Sequence, residues 1–200
     1  MSEEKDLKTR ESCDNGNTRG DREQSLVPNN IFSDRLMIFI DGGNLFHCAK
    51  NEGIKIDFKK LIKFLSKDYK LIRVYYYTGI QGSDKKTEEI NKQRAFLDSL
   101  SFNLNFEVIT KPLVEINNKL IEKGVDVKIA SDIIWHGLSD NYDAFILLSG
   151  DKDLMDCLIR MKDNGKRVIV ANFEGRISRE LKRLADEYVN LSENLEEIKR

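Results

Sequence analysis

Residues 38–46 read IFIDGGNLF. An apolar run without a polar break suits a strand covered on both faces, as in a parallel sheet packed between helices. The run stops at Asp41, passes through two glycines and Asn44, and turns apolar again. A carboxylate at the mouth of a buried strand is costly unless something neutralises it or hydrogen-bonds to it. Residues 145–154, FILLSGDKDL, repeat the pattern with Ser149, Gly150, Asp151, Lys152 and Asp153. Two strands are thus expected to deliver acids to one edge of one sheet.

Outward from these stretches, apolar runs alternate with helical spacing. Strands are expected at 36–40, 71–78, 104–110, 144–149 and 167–172, and helices at 57–67, 85–100, 126–138, 153–165 and 177–188. The stretch LVEINNKLIEKG reads as a hairpin or extended excursion around Asn117 and Asn118. This order predicts an α/β domain with a central, mostly parallel sheet and helices on both faces. In such sheets ligands bind outside the carboxyl ends of the strands, where the strand order reverses.

The chain has 200 residues, 40% of them hydrophobic, which is enough for one domain with a substantial core. Its net charge of −1 does not advertise a polyanion ligand. The charge is unevenly spread. Residues 1–34 hold eight acidic and five basic side chains, and the remainder holds 26 and 28, a net of +2. Residues 1–34 are polar and read as a disordered tail. The ordered domain is expected over 35–191, with a short helical tail at 192–200. Cys13, Cys48 and Cys157 are odd in number and far apart, which fits a reducing compartment, with Cys48 and Cys157 as small core residues. With only His47 and His136 beside them, zinc is not expected. No apolar stretch is long enough to span a bilayer and the start shows no signal-peptide core, so a cytoplasmic protein without membrane partners is expected.

A third acid, Asp126, follows Gly124 at the start of a predicted helix, whereas Asp132, six residues on, points well away from it. Taken singly, each acid has an ordinary explanation as an N-cap or turn residue; Asp153 would cap the next helix and Asn44 the segment LFHCAK. Together, hard oxygen ligands with few histidines or cysteines suit Mg²⁺ or Mn²⁺, ions that organise water and phosphate oxygens.

IFIDGGNLF, KGVDVKIASDII and FILLSGDKDL, followed by GKRVIVANFEGRISRELKRLADEYVNL, resemble the NYN domain, the branch of PIN-like nucleases that includes the LabA-like proteins. The resemblance runs from about Leu36 to Leu191. It implies a three-layer α/β/α sandwich and metal-dependent hydrolysis of RNA phosphodiesters to 5′-phosphate and 3′-hydroxyl products. It places Asp41, Asp126, Asp151 and Asp153 as catalytic acids, with the first three as direct or water-mediated metal ligands. Asn44, Ser149 and Lys152 are candidate phosphate-contacting or supporting groups. The family often has Phe where this chain has Leu154, and an apolar contact survives that change. A further acid from a middle helix is not identifiable; Glu88 and Glu89 read as solvated helix residues.

The expected partner is RNA in single-stranded or loop regions; homo-oligomerisation is compatible with the sequence but not specified by it. Lys50, Lys55, Lys59, Lys60, Lys63, Lys123, Lys128, Arg176 and Arg179 flank the motifs, most of them as solvated side chains. In the strand at 71–78, Tyr75 and Tyr77 share one face and Tyr76 takes the other. Trp135 is expected in the core beside Ile129, Ile133 and Ile134. The alternative activities are an RNA-binding or regulatory module without catalysis, and a Mg²⁺-dependent phosphatase. The phosphatase needs a second acid two residues after the nucleophile, where this chain has Gly43.

Overall fold

The computed structural model describes residues 34–81, 88–116 and 119–200. The tail expected at 1–34, apart from Asp34, and the turn at Asn117–Asn118 lie outside the described residues.

The chain opens with strand β1 (Arg35–Asp41), helix α1 (Gly42–Asn51) and helix α2 (Phe58–Leu65). Then come β2 (Lys70–Ile80), α3 (Glu88–Leu104), β3 (Glu107–Pro112) and a small antiparallel hairpin of β4 (Val114–Ile116) and β5 (Lys119–Ile121). Helix α4 (Val125–Leu138) leads to β6 (Ala144–Leu148), a short 3-10 turn (Lys152–Leu154), α5 (Met155–Asp163) and β7 (Arg167–Asn172). The remaining elements are α6 (Arg179–Leu184), β8 (Glu187–Asn190), a 3-10 turn (Leu191–Asn194) and α7 (Leu195–Ile198).

Six strands form one sheet in the order β3-β2-β1-β6-β7-β8, and every pairing in it is parallel. The expected three-layer sandwich is therefore present, with a sheet more uniformly parallel than anticipated. Alternation along β1 sends Leu36, Ile38 and Ile40 to the face covered by α1, α2, α3 and α7, and Met37 and Phe39 to the face covered by α4, α5 and α6. Both sets are buried, which explains the unbroken apolar run. The three tyrosines divide as expected: Tyr76 packs on the first face, Tyr75 and Tyr77 on the second. Cys48 and Cys157 are buried free thiols.

The strand order turns back on itself at one place. From β1 the chain moves outward to β2 and β3, then returns so that β6 lies on the other side of β1. The crevice between the carboxyl ends of β1 and β6 is the switch point at which such sheets bind ligands.

Some expectations need correction. The helix at 177–188 is split. Ala185 turns extended (ψ 145°), Asp186 exchanges hydrogen bonds with the backbone of Val168, and Glu187–Asn190 joins the sheet edge as β8. The third strand begins later than expected because α3 persists to Leu104 and Asn105 adopts a left-handed φ of 56°. Trp135 is 67% exposed. At about 100° per residue it lies some 200° around α4 from the buried Ile133, on the solvent side. In α7, Ile198 is buried, and its carbonyl accepts from Asp57 N–H at 2.8 Å.

Candidate metal centre at the switch point

Asp41 ends β1 and starts α1. Its Oδ1 accepts from the backbone N–H of Asn44 at 2.9 Å, so Asp41, not Asn44, caps the helix. Its Oδ2 accepts from the Ser149 hydroxyl at 3.0 Å. That bond joins the ends of β1 and β6 across the switch point, and both side chains are buried. Ser149 Oγ in turn accepts from Asp151 N–H at 3.2 Å.

Asp151 caps the 3-10 turn, its Oδ1 accepting from Asp153 N–H at 2.9 Å. Asp153 does not cap α5; Asp151 caps the short turn that precedes it. The Asp153 and Lys152 side chains are exposed on the rim, and α5 has no side-chain cap. Asp126 enters from the first turn of α4, whose start is set by Gly124 at φ 76°. Asp132 faces away, as expected; it accepts from the Tyr77 hydroxyl at 2.8 Å and pairs with Lys128 at 2.5 Å.

The electrostatics show which acids are neighbours. Burial pushes the Asp41 carboxyl above its ordinary range, the Asn44 N–H and Ser149 O–H oppose that, and the charges of Asp126 and Asp151 add to it. Asp126 is raised by burial and then by Asp151 and Asp153. The charges that raise Asp41 and Asp126 are those of their acidic neighbours. Like charges held this close disfavour one another's ionised form.

Two contributors escaped the sequence reading. Glu122, in the connection after β5, leans over the glycines: its Oε2 lies 3.0 Å from where a Cβ on Gly43 would sit. Partial burial raises its pKa, Asp41 raises it further, and the backbone N–H of Gly79 lowers it. Only the fold brings this residue to the cluster. Asn172, buried at the end of β7, donates from Nδ2 to Asn44 Oδ1 at 3.1 Å and to the Arg176 carbonyl at 3.1 Å. Asn44 Oδ1 also accepts from Gly150 N–H at 3.3 Å. Asn44 therefore ties the ends of β1, β6 and β7 together. A polar residue closing an apolar strand, as in RVIVAN, was the available signal for Asn172.

The donor set is oxygen throughout, which fits a hard divalent ion. Among the described residues, however, no three acidic, histidine or cysteine side chains already converge closely enough to hold one. The acids are neighbours rather than a finished coordination shell.

A family model of the NYN domain matches residues 35–193. The chain belongs to the NYN domain family. NYN domains are part of the PIN-like nuclease superfamily. The low amplitude and bright protein LabA of Synechococcus elongatus is 28% identical over 167 residues, covering 80% of this chain and 84% of LabA. An uncharacterized protein of Methanocaldococcus jannaschii is 25% identical over 162 residues; the match covers 81% of this chain but 57% of the archaeal protein. Among solved structures, a protein of unknown function from Vibrio parahaemolyticus has a TM-score of 0.66 at 23% identity, covering 80% of this NYN chain and 94% of that one. That likeness concerns the fold alone. No helix among the described residues is long and apolar enough to cross a membrane.

Proposed function

We propose that this NYN domain is a metal-dependent ribonuclease, with Asp41, Asp126 and Asp151 holding Mg²⁺ or Mn²⁺ directly or through water. The observation that carries this reading is the buried Asp41 at the switch point, facing two further acids. A bound divalent ion there supplies charge that orients the scissile phosphate and lowers the pKa of a water. The protein's own groups do the positioning. Ser149 fixes the rotamer of Asp41, and Asn44 and Asn172 lock the three strand ends. Asp153 and Lys152 sit on the exposed rim, where Asp153 completes the acidic edge and Lys152 is free to meet a phosphate oxygen.

One observation favours a second reading, RNA binding without cleavage: no three candidate ligands converge in the described structure. The deciding experiment is cleavage of an internally labelled single-stranded RNA, with Mg²⁺, with Mn²⁺ and with chelator, beside the Asp151→Asn variant and a DNA of the same sequence. Loss of full-length RNA that requires both the ion and Asp151 supports the nuclease. Intact RNA retained equally by both proteins, with or without metal, overturns it in favour of the binding module. Equal cleavage of the DNA would remove the preference for RNA.

A further inference from the structure

Beside the acids, between α1 and α3, two adjoining hollows of about 470 and 560 Å³ share Phe46, Tyr76 and Phe96. Each is of the size that accepts a small organic group. Their floor is an aromatic cluster: Tyr76 lies edge-on to both Phe58 and Phe96, at centroid distances of 5.7 and 6.0 Å. Phe46 stands at the lip, 65% exposed on α1. An isolated exposed phenylalanine needs no explanation, but one that overhangs an aromatic hollow offers a flat face to a ligand.

The cleft runs into the acidic site. Gly42 and Gly43 line the second hollow, and a Cβ on Gly43 would sit 3.6 Å from Asp41 Oδ1 as well as against Glu122. The inner end of the cleft is therefore the edge of the carboxylate cluster. At its outer end are Lys50 and Lys55, both exposed, and neither forms an ion pair among the described residues. An occupant with a flat apolar face and a flanking negative charge matches this distribution. A nucleotide in an unpaired strand has both.

We propose that the cleft between α1 and α3 is a base-binding subsite for single-stranded RNA, in which Phe46 stacks on an unpaired base next to the phosphate held at the acids and Lys50 meets a neighbouring phosphate. This rests on the ribonuclease reading and gives the single-stranded RNA expected from the sequence a place on the surface, one that requires bases free to leave the stack. A duplex keeps its bases paired and cannot fill the cleft.

The test uses the full chain carrying Asp151→Asn, so that binding is read without cleavage, and fluorescence anisotropy with an end-labelled single-stranded RNA hexamer. A ribose-phosphate hexamer without bases and a short RNA duplex serve as comparisons. Phe46 is exposed, so Phe46→Ala leaves the fold intact. It is expected to weaken hexamer binding by roughly tenfold, the usual scale of one aromatic-base stack. On the base-free backbone and on the duplex it is expected to change nothing. Lys50→Ala is expected to reduce the slope of log affinity against log salt by about 0.7, as for one phosphate contact on a single strand. Unchanged hexamer binding by Phe46→Ala, or an equal loss on the base-free backbone, overturns the subsite. If the wild-type chain still cleaves RNA in that case, the nuclease reading stands without it. Failure of the Asp151→Asn protein to retain any of the three ligands, together with failure of the wild-type chain to cleave, overturns both.

Discussion

Asp41 is costly to ionise where the fold places it. Burial and two acidic neighbours favour its protonated form, and two hydrogen bonds only partly offset them. A group whose folded pKa is raised destabilises the fold once it ionises. Asp41→Asn removes that charge and keeps a group able to bond both Asn44 N–H and Ser149. In chelator the variant is expected to be more stable than wild type by about 1 kcal/mol, a trade between stability and activity common at functional sites. It is also expected to have no metal-dependent cleavage. Paired thermal melts and RNA digests check this; a less stable Asn variant would show that the charge is already satisfied within the protein. Asp41, Asp126 and Asp151 could be picked out in the sequence because each follows a strand end or a helix-opening glycine. Glu122 could not, because it sits in a polar connection and its position depends on where the hairpin folds back over Gly43 and Gly79.

Among the elements, the loop after β6 is the most tightly specified. A Cβ on Gly150 would lie 1.8 Å from the backbone oxygen of Arg176 and 2.8 Å from Asn172 Nδ2. Backbone cannot swing aside as a long side chain can, so Gly150→Ala must displace the loop that carries Ser149 and Asp151. The expected cost is on the order of 3 kcal/mol, the upper part of the usual overpacking range. Urea unfolding would measure it, and RNA cleavage should be lost even below the melting temperature. An alanine variant as stable as wild type would contradict the close approach. The inner strands β1, β2, β6 and β7 and helices α2 to α5 were legible from period, since the inner sheet is buried on both faces and its runs are unbroken, whereas the edge strand β8 was not. Boundaries set by tertiary contact were not. Nothing within ISRELKRLADEY announces that Asp186 will bond to Val168 and draw the next residues into the sheet. Trp135 adjoins buried isoleucines in sequence, but its angle around α4 puts it on the solvent side.

Across the whole molecule, two groups of carboxyls pull stability in opposite directions with pH. The Arg35 guanidinium holds Asp143 down to about 2, and Lys162 holds Asp186 below its ordinary 3.8. Their contribution is complete above about pH 4 and is lost as pH falls from there toward 2. Asp41, Glu122 and Asp126 are raised instead, so their penalty is present at neutral pH and is relieved as pH falls through their folded values toward the ordinary range. In chelator, stability is therefore expected to rise on mild acidification from pH 7 and to fall below about pH 4. A saturating divalent ion should flatten the first limb. A chelated protein whose stability climbs steadily from pH 4 to 8 would contradict this balance.

β1 is synthesised well before its neighbour β6. β1 needs β6 as its second neighbour, and the bond that joins their ends links residues 108 positions apart in the chain. Until β6 arrives, one flank of this apolar strand stands open, able to pair with any passing extended chain. Closing so distant a pairing is slow, and refolding from denaturant is expected on the scale of milliseconds to seconds. Yield should fall as protein concentration rises during that interval. The vulnerable period in this molecule's life is then its synthesis: a ribosome that stalls before Ala144 leaves a sheet without its closing half, a substrate for chaperones before it is anything else.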